Sequence, residues 1–310
     1  MAPFAMTSTA PTVSAPSFDL STWSAQHLQR VEQALEQWID PHAPANLGQA
    51  MRYAVLGAGK RLRPLLVLAA CEAVGGPLAQ ALRAACAVEL IHAYSLVHDD
   101  MPCMDNDVLR RGKPTVHVQF GQAQALLAGD ALQALAFELL VPDDAALPAS
   151  VQVQWCRLLA AAAGSQGMAG GQAIDLASVG QPLSEAQLRH MHRLKTGALL
   201  QCSVDMGAAC AVVDAAARAA LSQYGSALGL AFQVVDDILD VTQDSATLGK
   251  TAGKDAASDK PTYVSLLGLE QAMAYAQALR AQAHAALQAS ALPDTRALAA
   301  LADMVVGRSH

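Results

Sequence analysis

The chain has 310 residues, with 20 Lys and Arg against 27 Asp and Glu, and a net charge of -7. This acidic balance argues against nucleic-acid binding, which requires a basic face to neutralise phosphates. Hydrophobic residues make up 53% of the chain and aromatic residues only 4%, which favours helices over strands rich in Tyr, Phe and Trp.

The N-terminal segment is rich in Ala, Pro, Ser and Thr and lacks the basic start and apolar core of a signal peptide. We predict a disordered tail at 1–18, because this composition cannot build a core. The rest shows no long linker and no internal repeat, so we expect one helical domain at 19–310. No membrane span is expected at the uncharged stretch 158–174, because it contains many Gly and Gln residues.

Apolar residues recur at helical spacing from Leu28 to Ile39 and from Met51 to Ala69, and each segment is predicted to be an amphipathic helix. Further helical stretches are predicted at 82–101, 121–141, 151–179, 184–213, 215–241, 261–289 and 295–306. Ser184 followed by Gln187 matches a capping box, and Pro182 just upstream supports a helix start there.

The six cysteines form no C-x-x-C pair, and most fall within apolar helical patterns. We therefore expect reduced, buried thiols in a cytoplasmic protein. These cysteines are Cys71, Cys86, Cys103, Cys156, Cys202 and Cys210.

The first of two acidic motifs, HDDMPCMDND, ends an apolar helical stretch. Pro102 disfavours helical geometry at Met101, so the helix is predicted to end near Asp100. The chain can then curl so that Asp105 returns towards Asp99 and Asp100. Three carboxylates could then share one hard cation.

The second acidic motif, FQVVDDILD, contains no helix breaker. At about 3.6 residues per turn, four polar side chains project from one helical face: Gln233, Asp236, Asp237 and Asp240. Mg2+ suits such carboxylates, because it prefers oxygen ligands and is commonly shared with substrate phosphates and water. Either motif alone is better explained as a helix cap or a solvated face. Both motifs are present, however, and both are flanked by apolar residues, which favours a buried site over a solvated face.

The lysines are concentrated near these motifs or in basic clusters: Lys60, Lys113, Lys195, Lys250, Lys254 and Lys260. Mixed Lys and Arg clusters suit diphosphate binding, because Lys supplies a compact charge and Arg a planar fork. Lys113 and Lys254 are better interpreted as ordinary surface or helix-end charges. His92 shares a helical face with Asp99, which favours a phosphate-binding role, and the segment from Gly170 to Asp175 is assigned to support Lys195.

Seven motifs, in order, resemble those of the short-chain trans-polyprenyl diphosphate synthases, and among these the bacterial farnesyl diphosphate synthases. They are GKRLRP, HDDMPCMDND, LRRGKPT, GGQAIDL, KTG, FQVVDDILD and GKTAGKD. The resemblance spans nearly everything after the tail. It implies an all-α, single-domain isoprenoid-synthase-type bundle around a deep central cavity, and a homodimer.

The resemblance also implies roles for individual residues. Mg2+ would be held by Asp99, Asp100, Asp105, Asp236 and Asp240. The catalytic residues would be Asp99, Asp100, Asp105, Asp236, Lys195 and Arg110. The allylic diphosphate would contact Arg110, Lys195, Thr196, Gln233, Lys250 and Lys260. Isopentenyl diphosphate would contact Gly59, Lys60, Arg63, His92 and Arg111. Relatives often end in Arg-x-Lys, whereas this chain ends in His310. Whether the C-terminal tail closes over the site is therefore left undecided.

The implied reaction joins dimethylallyl or geranyl diphosphate to isopentenyl diphosphate, head to tail, while Mg2+ and basic side chains stabilise the departing diphosphate. Tyr94 and Ser95 lie about one to one and a half turns below Asp99, and a bulky Tyr94 would limit the product to farnesyl diphosphate.

Three alternatives stay open. A geranylgeranyl diphosphate synthase is the nearest, because MPCMDND and RRGKPT suit it equally. A terpene cyclase would not need a second diphosphate site such as Lys60, Arg63 and Arg111. A non-catalytic partner subunit would be favoured by loss of an aspartate cluster, and both clusters are intact. We expect the protein neither to bind nucleic acid nor to insert stably into a membrane.

Overall fold

The structure is a computed structural model that describes residues 18–57, 59–181, 183–242 and 261–308. The N-terminal half contains α1 (Leu20–Trp38), a 3-10 turn (Pro44–Asn46), α2 (Leu47–Val55), α3 (Leu62–Ala73), α4 (Leu78–Asp99), β1 (Leu109–Arg110), β2 (Lys113–Pro114), α5 (Val116–Phe120) and α6 (Gln122–Leu140). The C-terminal half contains α7 (Ala149–Ala163), α8 (Met168–Ala177), α9 (Glu185–His192), a π-helical segment (Arg193–Gly197), α10 (Ala198–Ala208), α11 (Ala215–Thr242), α12 (Tyr263–Leu267), α13 (Leu269–Ala289) and α14 (Arg296–Gly307).

The bundle is organised around α4, α10 and α11. Helix α10 packs against α3, α4, α7 and α11, while α4 also contacts α6 and α11 also contacts α13. Small residues permit these close approaches, since a Cβ on Gly207 of α10 would lie 2.2 Å from the Val67 carbonyl oxygen of α3. The two acidic motifs lie near the C-terminal ends of α4 and α11, so this packing places them in one bundle.

Several predicted helices are divided by glycines. The segment from Met51 to Ala69 is two helices, α2 and α3, because Gly57 and Arg61 adopt positive φ angles of 87° and 47°. The stretch 151–179 breaks at Gly164, after α7, and 261–289 breaks at Gly268, whose φ is 80°. The predictions of single helices there were wrong, because left-handed or extended backbone interrupts the helical hydrogen bonds.

The start of α9 is confirmed as a capping box. Ser184 Oγ accepts a hydrogen bond from the Gln187 amide at 3.4 Å, and the Ser184 amide donates to Gln187 Oε1 at 2.9 Å. Pro182 lies outside the described residues. So do nearly all of the predicted tail, His310, and the three lysines Lys250, Lys254 and Lys260.

A short β-hairpin, absent from the predicted elements, separates α4 from α5. Its strands pair antiparallel, with Leu109 opposite Pro114 and Arg110 opposite Lys113. Arg111 and Gly112 form the two-residue turn with positive φ angles of 52° and 74°, the arrangement favoured by the right-handed twist of a hairpin. Next to this turn, Arg110 donates to Asp100, whereas Arg111 lines a cavity together with Gly59 and Lys60.

Within the described ranges, one helix, α6, is long and apolar enough to cross a membrane, judged by length and composition alone. It packs against α2, α4 and α5. Its exposed side includes Leu126 and Leu127, which are 46% and 52% exposed.

The cysteines are buried at four positions, as predicted: Cys71, Cys86, Cys202 and Cys210. Cys156 is half-buried. Cys103 is exposed, contrary to the prediction, because it lies in the loop that follows α4.

Candidate active site

The first acidic motif forms a tight return at the end of α4. The helix ends at Asp99 and Asp100 is its C-cap, which confirms the predicted effect of Pro102. The Asp105 amide then donates to the Asp99 carbonyl oxygen at 2.9 Å, which confirms that the chain curls back.

The carboxylates of this loop differ in their surroundings. Burial raises the pKa of Asp99 to about 6; Lys195 lowers the pKa, and the negative charge of Asp105 raises it further. Asp100 is 2% exposed, and its two carboxylate oxygens accept from Arg110 Nε at 3.0 and 2.9 Å. Asp100 therefore positions Arg110, and Asp99 and Asp105 form the neighbouring pair that suits a cation.

The second acidic motif is carried by α11, and its carboxylates have separate environments. Asp237 is buried and accepts a hydrogen bond from the Tyr263 amide at 2.7 Å, so it anchors α12. Asp236 is half-buried and acts electrostatically on Lys60. Asp240 is 4% exposed, and its Oδ1 has no hydrogen-bond partner within the described residues. A buried oxygen of this kind suits a cation ligand.

The donor set fits Mg2+ only in combination with a substrate. Among the described residues, no group of three or more His, Cys, Asp or Glu side chains could hold a metal alone. Mg2+ commonly takes one or two carboxylates and completes its octahedron with water and phosphate oxygens. Asp99, Asp105, Asp236 and Asp240 supply hard oxygen donors of the required type.

One cavity of about 400 Å³ brings together all five residues assigned to isopentenyl diphosphate: Gly59, Lys60, Arg63, His92 and Arg111. Burial lowers the pKa of Arg63 to about 10, and it also lowers the pKa of Lys60. Burial and the nearby arginines, Arg63 first, hold the pKa of His92 well below its ordinary value. A bound anion would relieve this concentration of positive charge. We call this space the cationic cavity.

Sequence reasoning missed Arg308, which lines the cationic cavity from the end of α14. Its guanidinium carbon lies 4.4 Å from the Phe232 ring centroid, a cation–π distance. The signal available in the sequence was a basic residue close to the C-terminus, two positions before His310.

Arg61 is a second residue whose role was missed. Its side chain is 2% exposed and forms ion pairs with Glu32 at 2.7 Å and Glu89 at 2.8 Å. Arg61 also lines the cationic cavity, but these two carboxylates neutralise its charge, so its role is to hold the backbone that carries Lys60 and Arg63. The run of basic residues in GKRLRP gave no signal that one of them is buried between carboxylates.

A second cavity of about 400 Å³ adjoins the first and shares Arg63 and His92 with it. It is also lined by Tyr94, Ser95, Asp99, Lys195 and Thr196, together with apolar residues such as Met168 and Leu176. The Tyr94 ring packs edge-on against His98 with centroids 5.7 Å apart. Gln233 lines neither cavity. We call this second space the apolar cavity.

Lys195 is held at the apolar cavity by contacts from α8. Its Nζ donates to Asp175 Oδ2 at 2.6 Å, which confirms the expected support from the GGQAIDL motif. A Cβ on Gly171 would lie 2.1 Å from the backbone nitrogen of Lys195, so glycine is required for the close approach of the two segments. Gln172 also lines the cavity, and its buried Oε1 and Nε2 have no partner among the described residues, which leaves them available to a ligand.

Residues 44–296 match the model of the polyprenyl synthetase family, and the chain belongs to this family. It is 49% identical over 271 residues to a probable farnesyl diphosphate synthase of Sinorhizobium fredii, covering 86% of this chain and 81% of that protein. It is 44% identical over 298 residues to geranylgeranyl pyrophosphate synthase 7 of Arabidopsis thaliana, covering 94% and 85%.

The fold is also shared with solved structures. The geranyltransferase of Helicobacter pylori, crystallised with magnesium and isoprenyl diphosphate, matches with a TM-score of 0.81 and 36% identity. The match covers 95% of this chain and 99% of that one. These comparisons confirm the all-α fold and the family resemblance.

Proposed function

We propose that this chain is a Mg2+-dependent farnesyl diphosphate synthase that condenses dimethylallyl or geranyl diphosphate with isopentenyl diphosphate. The observation that carries this proposal is the pair of adjoining cavities. The cationic cavity fits a diphosphate, and the apolar cavity combines a mainly apolar lining with Asp99 and Lys195 at its polar part. Two anionic substrates can therefore meet, with only one needing room for a long chain.

The chain's own residues account for the main steps. Lys195 and Thr196 would bind the allylic diphosphate, and Lys60, Arg63 and Arg111 would bind isopentenyl diphosphate. Mg2+ supplies positive charge that favours loss of the allylic diphosphate. The apolar lining excludes water from the allylic cation while the double bond of isopentenyl diphosphate attacks it. The proton then lost can pass to the departing diphosphate, so no protein nucleophile is needed.

Product length is the finer part of the proposal. Tyr94 and Ser95 line the apolar cavity, where the aromatic ring of Tyr94 can limit the chain to fifteen carbons. The farnesyl reading is supported by the relative at 49% identity. A geranylgeranyl diphosphate synthase is the second candidate, because a relative of that name is 44% identical over most of the chain.

The assembly and metal are proposed on separate grounds. The exposed apolar side chains of α6, including Leu126 and Leu127, favour a homodimer that buries them.

The assignment of Mg2+ is supported by the oxygen donors of both motifs and by the magnesium in the Helicobacter pylori relative. Cytoplasmic placement is favoured by the four buried free cysteines.

The test is to incubate the purified protein with Mg2+, isopentenyl diphosphate and either dimethylallyl or geranyl diphosphate, and to size the products by mass spectrometry. Fifteen-carbon farnesyl diphosphate is expected. A twenty-carbon product would support the second candidate, and absence of condensation by a folded protein would contradict both.

A further inference from the structure

A separate basic groove lies on the surface where α9, the π-helical segment, α10 and α11 meet. Its volume is about 340 Å³, close to that of the substrate cavities, and none of the described residues lines both the groove and a substrate cavity. We call it the α9 groove, and the residues that line it include Arg189, His190, Arg193, Gln201, Ser226 and Leu230.

The α9 groove is suited to an anion. Three of its lining side chains are basic or can become so, and no carboxylate lines it within the described part of the chain. Glu185, one turn before Arg189, is absent from the lining. Arg193 Nη2 donates to His190 Nδ1 at 3.1 Å, which orients the two side chains together. Ser226 adds a hydroxyl and Gln201 an amide, whose Nε2 also donates to Ser222 Oγ at 2.8 Å, so the groove offers both charge and directional contacts.

The usual explanation for basic residues in the last turn of a helix is compensation of the helix dipole. That explanation does not apply at α9. The backbone remains in right-handed helical geometry at His192, Arg193, Gly197 and Ala198, so one helical path continues into α10. The last carbonyl groups of α9 are therefore not at a free helix end. The basic side chains of α9 have no negative end of a helix dipole to compensate.

The α9 groove also touches the outer side of the π-helical segment. Arg193 and Gly197 begin and end that segment and line the groove, whereas Lys195 and Thr196 between them line the apolar cavity. The segment is packed tightly from α11, since a Cβ on Gly229 would lie 2.8 Å from the Gly197 Cα. Such π-helical turns are frequent at functional sites. A ligand in the groove would brace this turn from outside.

We propose that the α9 groove is a second anion site that binds a phosphate or diphosphate group. The group can be a free ion or the end of an isoprenoid diphosphate, whose first carbons would contact Leu230. This proposal does not depend on the proposed condensation, because the described residues that line the groove are different from those that line the substrate cavities.

The test uses selective 13C labelling of Leu and Met methyl groups, followed by NMR titration of the full protein with inorganic pyrophosphate in the absence of divalent metal. Leu230 reports on the α9 groove, and Met168 reports independently on the apolar cavity. We expect saturable shifts of Leu230 in the wild type. In the double variant Arg189→Gln/Arg193→Gln, binding read at Leu230 should weaken at least tenfold, while the Met168 response is retained.

The matched control is Arg30→Gln/Arg157→Gln, which removes the same charge from two exposed arginines on α1 and α7. It should bind pyrophosphate at Leu230 as the wild type does. An unshifted Leu230, or equal weakening in both double variants, would overturn the proposal. Titration with geranyl diphosphate identifies the source of the group: tighter binding than pyrophosphate supports an isoprenoid end, and equal or weaker binding supports the free ion.

Discussion

Replacing Tyr94 with alanine should lengthen the product from fifteen to twenty carbons. The ring of Tyr94 lines the apolar cavity together with Met168 and Leu176, and it packs edge-on against His98, which lines the same cavity. Truncation at Cβ removes this obstruction while leaving the polar part of the cavity, with Asp99 and Lys195, unchanged. The space released lies beside His98 and Gln133, the hydrogen-bond partner of Tyr94, and it extends the cavity that Met168 and Leu176 line, so a further isoprene unit would have room there.

The expected magnitude follows from apolar burial. An isoprene unit has five carbons, and at about 0.8 kcal/mol per buried CH2 its burial contributes up to ~4 kcal/mol. Each 1.4 kcal/mol corresponds to about a tenfold change, so the preference could shift by up to about a thousandfold. Full burial is the upper limit, and a shift of at least tenfold in the ratio of twenty- to fifteen-carbon product is the conservative expectation.

The assay is product sizing by mass spectrometry with geranyl diphosphate as the allylic substrate, because the fifteen-carbon and the twenty-carbon products can then both form and their ratio is read directly. Tyr94→Phe keeps the ring and should retain the fifteen-carbon limit. If Tyr94→Ala folds, turns over and still yields only fifteen-carbon product, the aromatic ring does not limit the length of the product.

Three further predictions concern buried charges. Because the native pKa of Asp99 is about 6, above the unfolded value near 3.8, stability of the metal-free protein should fall as pH rises from about 4 to 6. Asp99→Asn should flatten that fall and raise the free energy of unfolding by about 1–2 kcal/mol at pH 7. The measurement is urea unfolding across this pH range, and an unchanged dependence of stability on pH would refute the prediction. Glu89→Gln should cost about 3 kcal/mol in the same assay, since Arg61 loses a buried partner, and a cost below about 1 kcal/mol would contradict that role. Asp175→Asn, which releases Lys195, should raise KM for the allylic substrate about tenfold while leaving KM for isopentenyl diphosphate nearly unchanged, and equal increases would count against selective positioning.

Local features of the site were predictable from the sequence. The end of α4 follows from Pro102, and the start of α9 follows from the Ser184 capping box. The return of Asp105 to Asp99 follows from the few residues between them. In each case the cause lies within a few residues along the chain, so no knowledge of distant contacts was required.

Other features could not be read from local pattern. Gly57 and Gly268 take positive φ values that divide predicted helices, although glycine also occurs within α8 and α11. Asp237 was grouped with the other aspartates of its motif, but the amide of Tyr263, 26 residues later, binds it instead.

The sequence alone therefore determined the helical class, the order of the motifs and the chemical type of the site, because periodicity, proline and clustered charge act locally. Only the tertiary structure decided which basic residue serves which purpose. Arg61 is buried between Glu32 and Glu89, while Arg308 reaches the cavity of Lys60 from the far end of the chain. These assignments depend on packing between helices distant in sequence, and burial changes the energetic role of a charge far more than its neighbours in the chain do.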